Sequence, residues 1–362
     1  MPVFMDLHYV PGISAQGVAE AHRQDVLIQK DFNCTCLTYW IDEARNSAFC
    51  LIEAPDENAV RELHNKAHGL TPHQIIQVNH TIVESFLGRI YDPQNLDLRD
   101  GNLKVFNDPA FRILVLINYL NPIILQKRIG PKAVIDWCRV YNINVEHLSS
   151  EFDCEITEHH EPVNTILSFT SSSEAVKYAI ALLNSFSNEQ REIMNLQISV
   201  TAGEPVAKST RLFGETLDLG RMLLYVSKPD LIGVTSTLKD LLLQNPENDK
   251  LSIFKLSASE EKILKQLFGI IELNMDNENF GINEFSAEIG LSRSGLNRAV
   301  QFLTGRTPNI LVKEYRLNKA LDLLLQRNLT VSEIAFTTGF RSPSYFSKCF
   351  KGHFDISPSA FL

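Results

Sequence analysis

The N-terminal part of the chain holds histidines, a cysteine and carboxylates whose spacing could suit a metal ion. His64 and His68 are four positions apart, so on a helix both imidazoles would leave the same face. Asp6 and His8 are two positions apart and would share one face of a strand. Imidazole with a thiolate favours nickel, zinc, copper or cobalt over magnesium or calcium. The expected ligands are His8, His22, Cys50, His64 and His68. The same histidines also fit surface or helix-packing roles, and both interpretations stay open at this point.

The C-terminal part carries a different chemistry, that of contact with phosphate. Residues 290–353 hold ten Lys or Arg and three Asp or Glu, whereas the whole chain has a net charge of −9. A basic segment in an acidic chain is typical of a protein that meets nucleic acid with one face only. A solvated helical surface is the alternative explanation for the same charges.

The elements that would position these cations form two helix-turn-helix units. In the first, a helix over Asn283–Ile289 ends at Gly290, and Ser292 caps a second helix. The apolar stripe of that second helix is Leu296, Val300 and Leu303.

The second unit repeats this plan. Thr330–Thr338 is its first helix, Gly339 its turn and Ser342–His353 its second helix. A helix over Pro308–Gln326 would join the two units. Its 19 residues would span roughly 28 Å, close to the ~34 Å repeat of the DNA major groove.

Helix geometry then assigns the residues that would contact DNA. Arg298 suits guanine, and Asn297 or Gln301 suits adenine. Arg293, Arg306, Lys313, Arg341 and Lys351 suit phosphates, although the choice between base and phosphate stays open at each position. The full expected set is Arg293, Ser294, Asn297, Arg298, Gln301, Arg306, Arg341, Pro343, Ser344, Ser347, Lys348 and Lys351.

The last 100 residues or so resemble the AraC-type DNA-binding domain. The resemblance is carried by EYRLNKALDLLL and GFRSPSYFSKCFKGHFDISPSAF, and it departs at Asp355, where the family more often has glycine. It implies a transcription regulator that binds a specific site in double-stranded DNA.

Residues 1–90 predict a β-α-β-β-α-β succession, which is the order of a ferredoxin-like sandwich. The predicted elements are Val3–Val10, a helix from Ser14, Asn33–Asp42, Ser47–Glu53, Pro55–His68 and Gln74–Val78. This segment resembles a small nickel-binding ferredoxin-like family in FMDLH, EAHRQD, FCLIEAPD and ELHNKAHG. That resemblance implies pairing into a homodimer through the open sheet face, and a bound divalent metal.

Residues 109–242 predict a second α+β domain, after a linker over Leu96–Asp108. They resemble class III nucleotidyl cyclase domains in FRILVLIN, ILSFTSSSEAVKYAIAL, ISVTAGEP and FGETLDLGRMLL. Two carboxylates must hold the metal ions of that reaction, but the matching positions are Ile117 or Asn118 and Val163 or Asn164. The resemblance therefore implies a domain without catalysis that dimerises or senses a small-molecule effector. An α+β domain with no ligand is the alternative.

The 362 residues thus predict a multi-domain α+β protein, with domains at 1–90, 109–242 and an all-α double helix-turn-helix domain at 257–362. No apolar run reaches 18 residues and six cysteines are scattered, so we expect a cytoplasmic, non-membrane protein with free thiols. The leading function is a DNA-binding transcription regulator that is not an enzyme. A cyclase fused to a DNA-binding module and a metal-binding scaffold are the alternatives.

Overall fold

The computed structural model describes residues 1–93, 103–157, 165–226, 231–238 and 253–361. The polar stretch Gln244–Lys250, which the sequence predicts as a second linker, lies outside these ranges, as do Val163 and Asn164. Across the described residues, no helix is both long and apolar enough to cross a membrane. All six cysteines are free thiols.

The first domain has the predicted ferredoxin-like order. Its strands pair antiparallel in the order β2-β3-β1-β4, and both helices begin at side-chain caps, Ser14 and Asp56. The elements are β1 Val3–Tyr9, α1 Ala15–Ile28, β2 Thr35–Asp42, β3 Ser47–Glu53, α2 Glu57–Ala67 and β4 Gln74–Val78.

Both faces of this sheet are buried, and they have different neighbours. On β1, Phe4, Asp6 and His8 face α1 and α2, while Met5 and Leu7 face the opposite way. The second face joins a cluster with the middle domain, so the open sheet face expected to pair in a homodimer is covered by the chain itself. The reason is a helix that the sequence did not predict, α3 His80–Leu87, which follows β4 and supplies apolar side chains to that face.

The middle domain repeats the same strand order and extends it. β5, β6, β7 and β8 pair antiparallel in the order β6-β7-β5-β8, and β9 and β10 add parallel strands beyond β8. Its elements are β5 Arg112–Asn118, α4 Pro122–Ile129, α5 Pro131–Glu151, β6 Cys154–Thr157, β7 Thr165–Phe169, α6 Ser172–Asn184, α7 Asn188–Met194, β8 Gln197–Gly203, α8 Gly214–Val226, β9 Ile232–Val234 and β10 Ile253–Lys255.

Two expectations for this region need correction. The sequence predicts a helix over Ile129–Asn142, whereas in the structure Gly130, with a φ of +81°, separates α4 from α5, which begins at Pro131 and continues to Glu151. The expected linker over Leu96–Asp108 lies outside the described residues up to 102, but its remainder is packed: Val105 and Phe106 join the core of the first domain, and the Phe106 ring stacks on Tyr39.

In its described residues the third domain ends in a short 3-10 helix over Pro358–Phe361 and contains six α-helices. They are α9 Ala258–Leu273, α10 Ile282–Ile289, α11 Arg293–Thr304, α12 Pro308–Gln326, α13 Val331–Thr337 and α14 Pro343–Phe354. α12 has the predicted bounds, and Ser257, Ser292, Thr330 and Ser342 cap helices as side-chain acceptors.

Two helices of the middle domain dock the third domain. At the N-terminal end of α8, Leu217 belongs to the cluster shared with the first sheet, whereas Leu223 and Val226 near its C-terminal end belong to the core of α9, α11 and α12. On α4, Ile124 is fully buried among residues of α12 and α14. α8 therefore supplies side chains to a cluster shared with the first domain and to one shared with the third domain, and α4 packs against the second half of the third domain.

Candidate nucleic-acid interface and candidate metal centre

The two turn-linked helix pairs of the third domain present matching faces. Gly290 and Gly339, with φ of +74° and +71°, make the turns. The inward side chains Leu296, Val300, Phe346 and Phe350 are fully buried, so the opposite sides of α11 and α14 are left to solvent.

Most residues expected to contact DNA lie on those free faces. The exposed members are Arg293, Ser294, Asn297, Arg298, Gln301, Arg341, Ser344, Lys348 and Lys351, while Pro343 and Ser347 are half-buried. The middle domain docks on other sides of this domain, and these side chains stay accessible.

Arg306 is placed differently. Its guanidinium pairs with Glu314 and donates to the carbonyl oxygens of Tyr225, at 3.2 Å, and Thr304, at 2.9 Å. Tyr225 belongs to α8 of the middle domain. The N–H groups of Arg306 already donate hydrogen bonds at the junction with the middle domain. We therefore leave Arg306 out of the proposed DNA-contacting set.

Two exposed aromatic side chains on α11 and α14 are absent from the set of DNA-contacting residues expected from the sequence. Phe302 on α11 is 70% exposed and Tyr345 on α14 is 55% exposed. Large rings at exposed positions are available for apolar contact with base or sugar edges. The sequence signal was their position next to, and not within, the apolar stripes, since Tyr345 directly precedes Phe346.

In the first domain, four elements bring ligand-type side chains together. Asp6, His8, Cys50 and His64 offer ligand atoms that all lie within 4.8 Å of one another, and all four residues are buried. Strand pairing explains half of this group, because Asp6 of β1 lies directly opposite Cys50 of β3. His64 comes from α2, and its Nε2 lies 2.8 Å from Oδ2 of Asp6.

A second group shares His64. The Nδ1 of its imidazole lies 3.2 Å from Oδ1 of Asp25 and 3.2 Å from Nε2 of His68, so the two nitrogens of one ring face two different sets of ligand atoms. The sequence list therefore lacked the carboxylates Asp6 and Asp25, which the fold places at the centre of the site. Their spacing from the histidines along the chain was the only available signal.

Opposite charges on neighbouring side chains organise this site. Burial alone would raise the pKa of Asp6, but the imidazoles of His64 and His8 more than offset it and hold that pKa below its usual range. Burial acts against charge on His64 too, yet Asp6 and Asp25 raise the pKa of its imidazole well above the ordinary value. Burial raises the pKa of the Cys50 thiol. A metal ion would replace these protons.

The donor set fits a transition metal. Two imidazoles, a thiol and a carboxylate are the ligands of nickel or zinc sites. The Nε2 of His8 is a buried nitrogen that makes no well-aligned hydrogen bond, although it lies 3.3 Å from Oδ1 of Asp6, so it is available as a ligand.

His22 stands apart from both groups. Its Nε2 lies 4.0 Å from Oδ1 of Asp92, and its ring lies 5.2 Å from that of Tyr39. Burial lowers the pKa of this imidazole. We therefore replace His22 in the candidate ligand set with the carboxylates of Asp6 and Asp25.

Two family comparisons match separate parts of the chain. Residues 285–362 match the helix-turn-helix domain family, and residues 4–78 match the family described as nickel responsive protein SCO4226-like. The crystal structure of SCO4226 from Streptomyces coelicolor is 34% identical, covers 21% of this chain and 94% of its own, and has a TM-score of 0.20.

Curated relatives are similar over limited segments. Histidine kinase P4 of Formosa agariphila is 42% identical over 106 residues, which are 29% of this chain and 8% of that protein. The HTH-type transcriptional regulator GbdR of Pseudomonas aeruginosa is 24% identical over 168 residues, 42% of this chain and 46% of that protein. The chain thus spans less than half of the length of either relative. Its C-terminal part is an AraC-type helix-turn-helix domain, and residues 4–78 form a domain of the SCO4226-like type.

Proposed function

We propose that the whole chain is a transcription regulator that reads a specific double-stranded DNA site with α11 and α14 together. The observation that carries this proposal is the pair of exposed, basic helix faces on either side of the 19-residue α12. Relatives described as HTH-type transcriptional regulators are similar to segments of the chain.

Within this interface, the residues divide by the contacts they could make. Arg298 has the donor geometry for guanine, and Asn297 and Gln301 offer amides for adenine. Arg293, Arg341 and Lys351 are exposed cations suited to phosphates, which set the register of the protein on the duplex.

The test is selection from a random duplex library with the intact protein. We expect an enriched site with two parts about one helical turn apart, ~10 base pairs between centres. A protein that prefers no sequence over competitor DNA, with only a steep loss of affinity on adding salt, would instead behave as a metal-binding scaffold with incidental DNA affinity.

The same proposal includes a divalent metal, nickel or zinc, as the signal. Asp6, His8, Cys50 and His64 would hold the ion, which would supply positive charge and would link β1, β3 and α2 through its ligands. β1 presents ligands on one face and Met5 and Leu7 to the middle-domain cluster on the other. A ligand controls a protein only if it binds two conformations of that protein with different affinity. Because β1 carries metal ligands on one face and packs toward the middle domain with the other, a change in how the middle domain packs would change the affinity for the metal.

The experiment compares DNA affinity of the chelated protein before and after adding Ni²⁺, Zn²⁺ or Co²⁺. A change with one metal and not the others supports a metal signal. Equal DNA affinity with and without every metal would contradict a metal signal. The protein would then respond to a small-molecule effector of the middle domain, or to no effector.

Homodimerisation remains part of the proposal, because it would double the DNA site. The first sheet cannot supply the interface in this fold, since its second face is buried against the middle domain. Analytical ultracentrifugation of the intact protein would measure the assembly state directly, and a strictly monomeric protein on DNA would remove this part.

The cyclase alternative rests on the middle domain, whose resemblance to cyclases remains a prediction. The first metal-carboxylate position is taken by Ile117 or Asn118 at the end of β5, and Ile117 is fully buried. Incubation with ATP or GTP and a divalent metal should give no cyclic nucleotide. Sustained formation of a cyclic nucleotide would instead support the alternative that the chain is a cyclase fused to a DNA-binding module.

A further inference from the structure

Reading two successive stretches of major groove requires the two recognition helices to keep a fixed separation and angle. α12 provides the separation, but a single helix does not fix how each unit is rotated about it. Arg316 lies near the middle of α12, and only 9% of its surface is exposed to solvent. A buried guanidinium needs acceptors for its donors.

Those acceptors come from the turn of the second helix-turn-helix unit and from the segment that leads into the first unit. One terminal nitrogen, Nη1, donates to the carbonyl oxygen of Gly339 at 3.0 Å. The other, Nη2, donates to the carbonyl oxygens of Asn277 at 2.6 Å and Asn274 at 3.3 Å. Gly339 is the turn of the second unit, whereas Asn274 and Asn277 lie between α9 and α10 at the entry to the first.

These carbonyls follow the C-terminal ends of helices. Asn274 caps the end of α9, and Gly339 comes two residues after the end of α13. Such ends carry unpaired carbonyl oxygens and partial negative charge. The planar guanidinium can serve several of them at once, which the point charge of a lysine cannot do in one geometry.

Gly339 also packs closely against Arg316 and against the segment after α9. Its φ of +71° disfavours any other residue, and an added Cβ would lie 2.2 Å from the carbonyl oxygen of Met275 and 2.7 Å from Cζ of Arg316. The turn of the second unit, the segment after α9 and the arginine therefore meet at one closely packed point.

We propose that Arg316, packed against Gly339, is a positioning residue that fixes the orientation of α14 relative to α11 and so sets the spacing of the two-part DNA site. This inference rests on the proposed function. It assigns Arg316 no contact with DNA; its effect is to reduce the number of arrangements that the two recognition helices sample before they bind.

The experiment compares the intact wild-type protein with R316K and R316Q. Each is titrated with the selected two-part site, with sites in which the two parts are moved one or two base pairs closer or further apart, and with each part alone. We expect the variants to bind the single parts as the wild type does. On the optimal two-part site they should lose roughly tenfold in affinity, and their preference for one spacing should flatten, more in R316Q than in R316K.

K265Q is the matched control, because it removes the charge of an exposed lysine on α9. It should keep the wild-type spacing preference. The inference is overturned if R316K and R316Q keep that preference, if they lose affinity equally on single parts and on the two-part site, or if neither variant folds by circular dichroism, since Arg316 would then serve stability alone.

The wild-type titrations separate this inference from the proposed function. A wild-type protein without any sequence preference removes the proposed function itself. A wild-type protein that prefers one spacing, with variants that do the same, removes only the role given to Arg316.

Discussion

At the scale of single residues, similar side chains have different roles because of their surroundings. Arg298 is exposed on the outer side of α11. The guanidinium of Arg306, in contrast, is held by the carboxylate of Glu314 and by a backbone carbonyl of α8. Both belong to the same basic segment of sequence, and only the fold separates a DNA-facing cation from one at a domain junction.

Replacing Arg298 with alanine should relax base preference at one position of the site, at a cost of ~1–3 kcal/mol if the contact is bidentate. Replacing Lys351 with alanine should weaken binding to all sequences alike. It should also reduce the slope of log affinity against log salt concentration by about 1. Both are measured by fluorescence anisotropy on specific and random duplexes. Equal weakening on both duplexes would move Arg298 to the phosphate-contacting group.

The metal centre allows a similar comparison between two histidines. H64A removes the imidazole shared by both ligand groups, so metal affinity should fall by more than the ~10–100-fold that loss of an outer-shell partner costs. H22A should keep the affinity of the wild type, because His22 lies outside both groups. Elemental analysis after dialysis against Ni²⁺ measures the bound metal. Equal loss in the two variants would contradict this ligand set.

At the scale of elements, α4 and α8 hold the third domain in place. Neighbouring positions on α4 serve different cores: Ile124 packs among residues of α12 and α14, while Leu125 packs into the middle domain. Both side chains are fully buried.

This arrangement predicts different results for two similar truncations. I124A and L125A should each cost about 2–5 kcal/mol of stability. I124A should release the third domain first, seen as earlier protease cleavage between the domains, whereas L125A should destabilise the middle domain. Limited proteolysis along a urea titration distinguishes them, and identical cleavage patterns would contradict the docking role of Ile124.

Much of each element could be predicted from sequence. The strands Ser47–Glu53 and Gln74–Val78 and the helix Pro308–Gln326 have the predicted bounds, because alternation, periodicity and caps are local signals. α3 and the break at Gly130 were missed although both have local signals: Asn79 caps α3 and Gly88 ends it, and Gly130 with Pro131 separates α4 from α5. Asp6 was left out of the ligand list because its pairing with Cys50 depends on strand register, and Asp25 because its approach to His64 depends on how α1 packs beside α2.

At the scale of the whole molecule, the three domains share cores. The cluster with Leu223 and Phe268 joins the middle and third domains, and the cluster with Met5 and Leu116 joins the first and middle domains. Domains linked in this way should unfold together, because opening one exposes apolar surface of its neighbour.

Calorimetry tests this coupling. The intact protein should unfold in one main transition, and an oligonucleotide carrying the selected site should raise the temperature of that whole transition. Three separate transitions, with only one of them shifted by DNA, would show that the shared clusters couple the domains weakly.

The covered face of the first sheet has a practical consequence. A fragment cut after residue 90 would lose the middle-domain side chains that share a cluster with Trp40, Phe49 and Leu51, which are fully buried in the intact chain. Such a fragment should self-associate or precipitate. Its metal chemistry and its oligomeric state would then describe an artificial surface, and a recombinant piece for such work should extend at least through the end of α8.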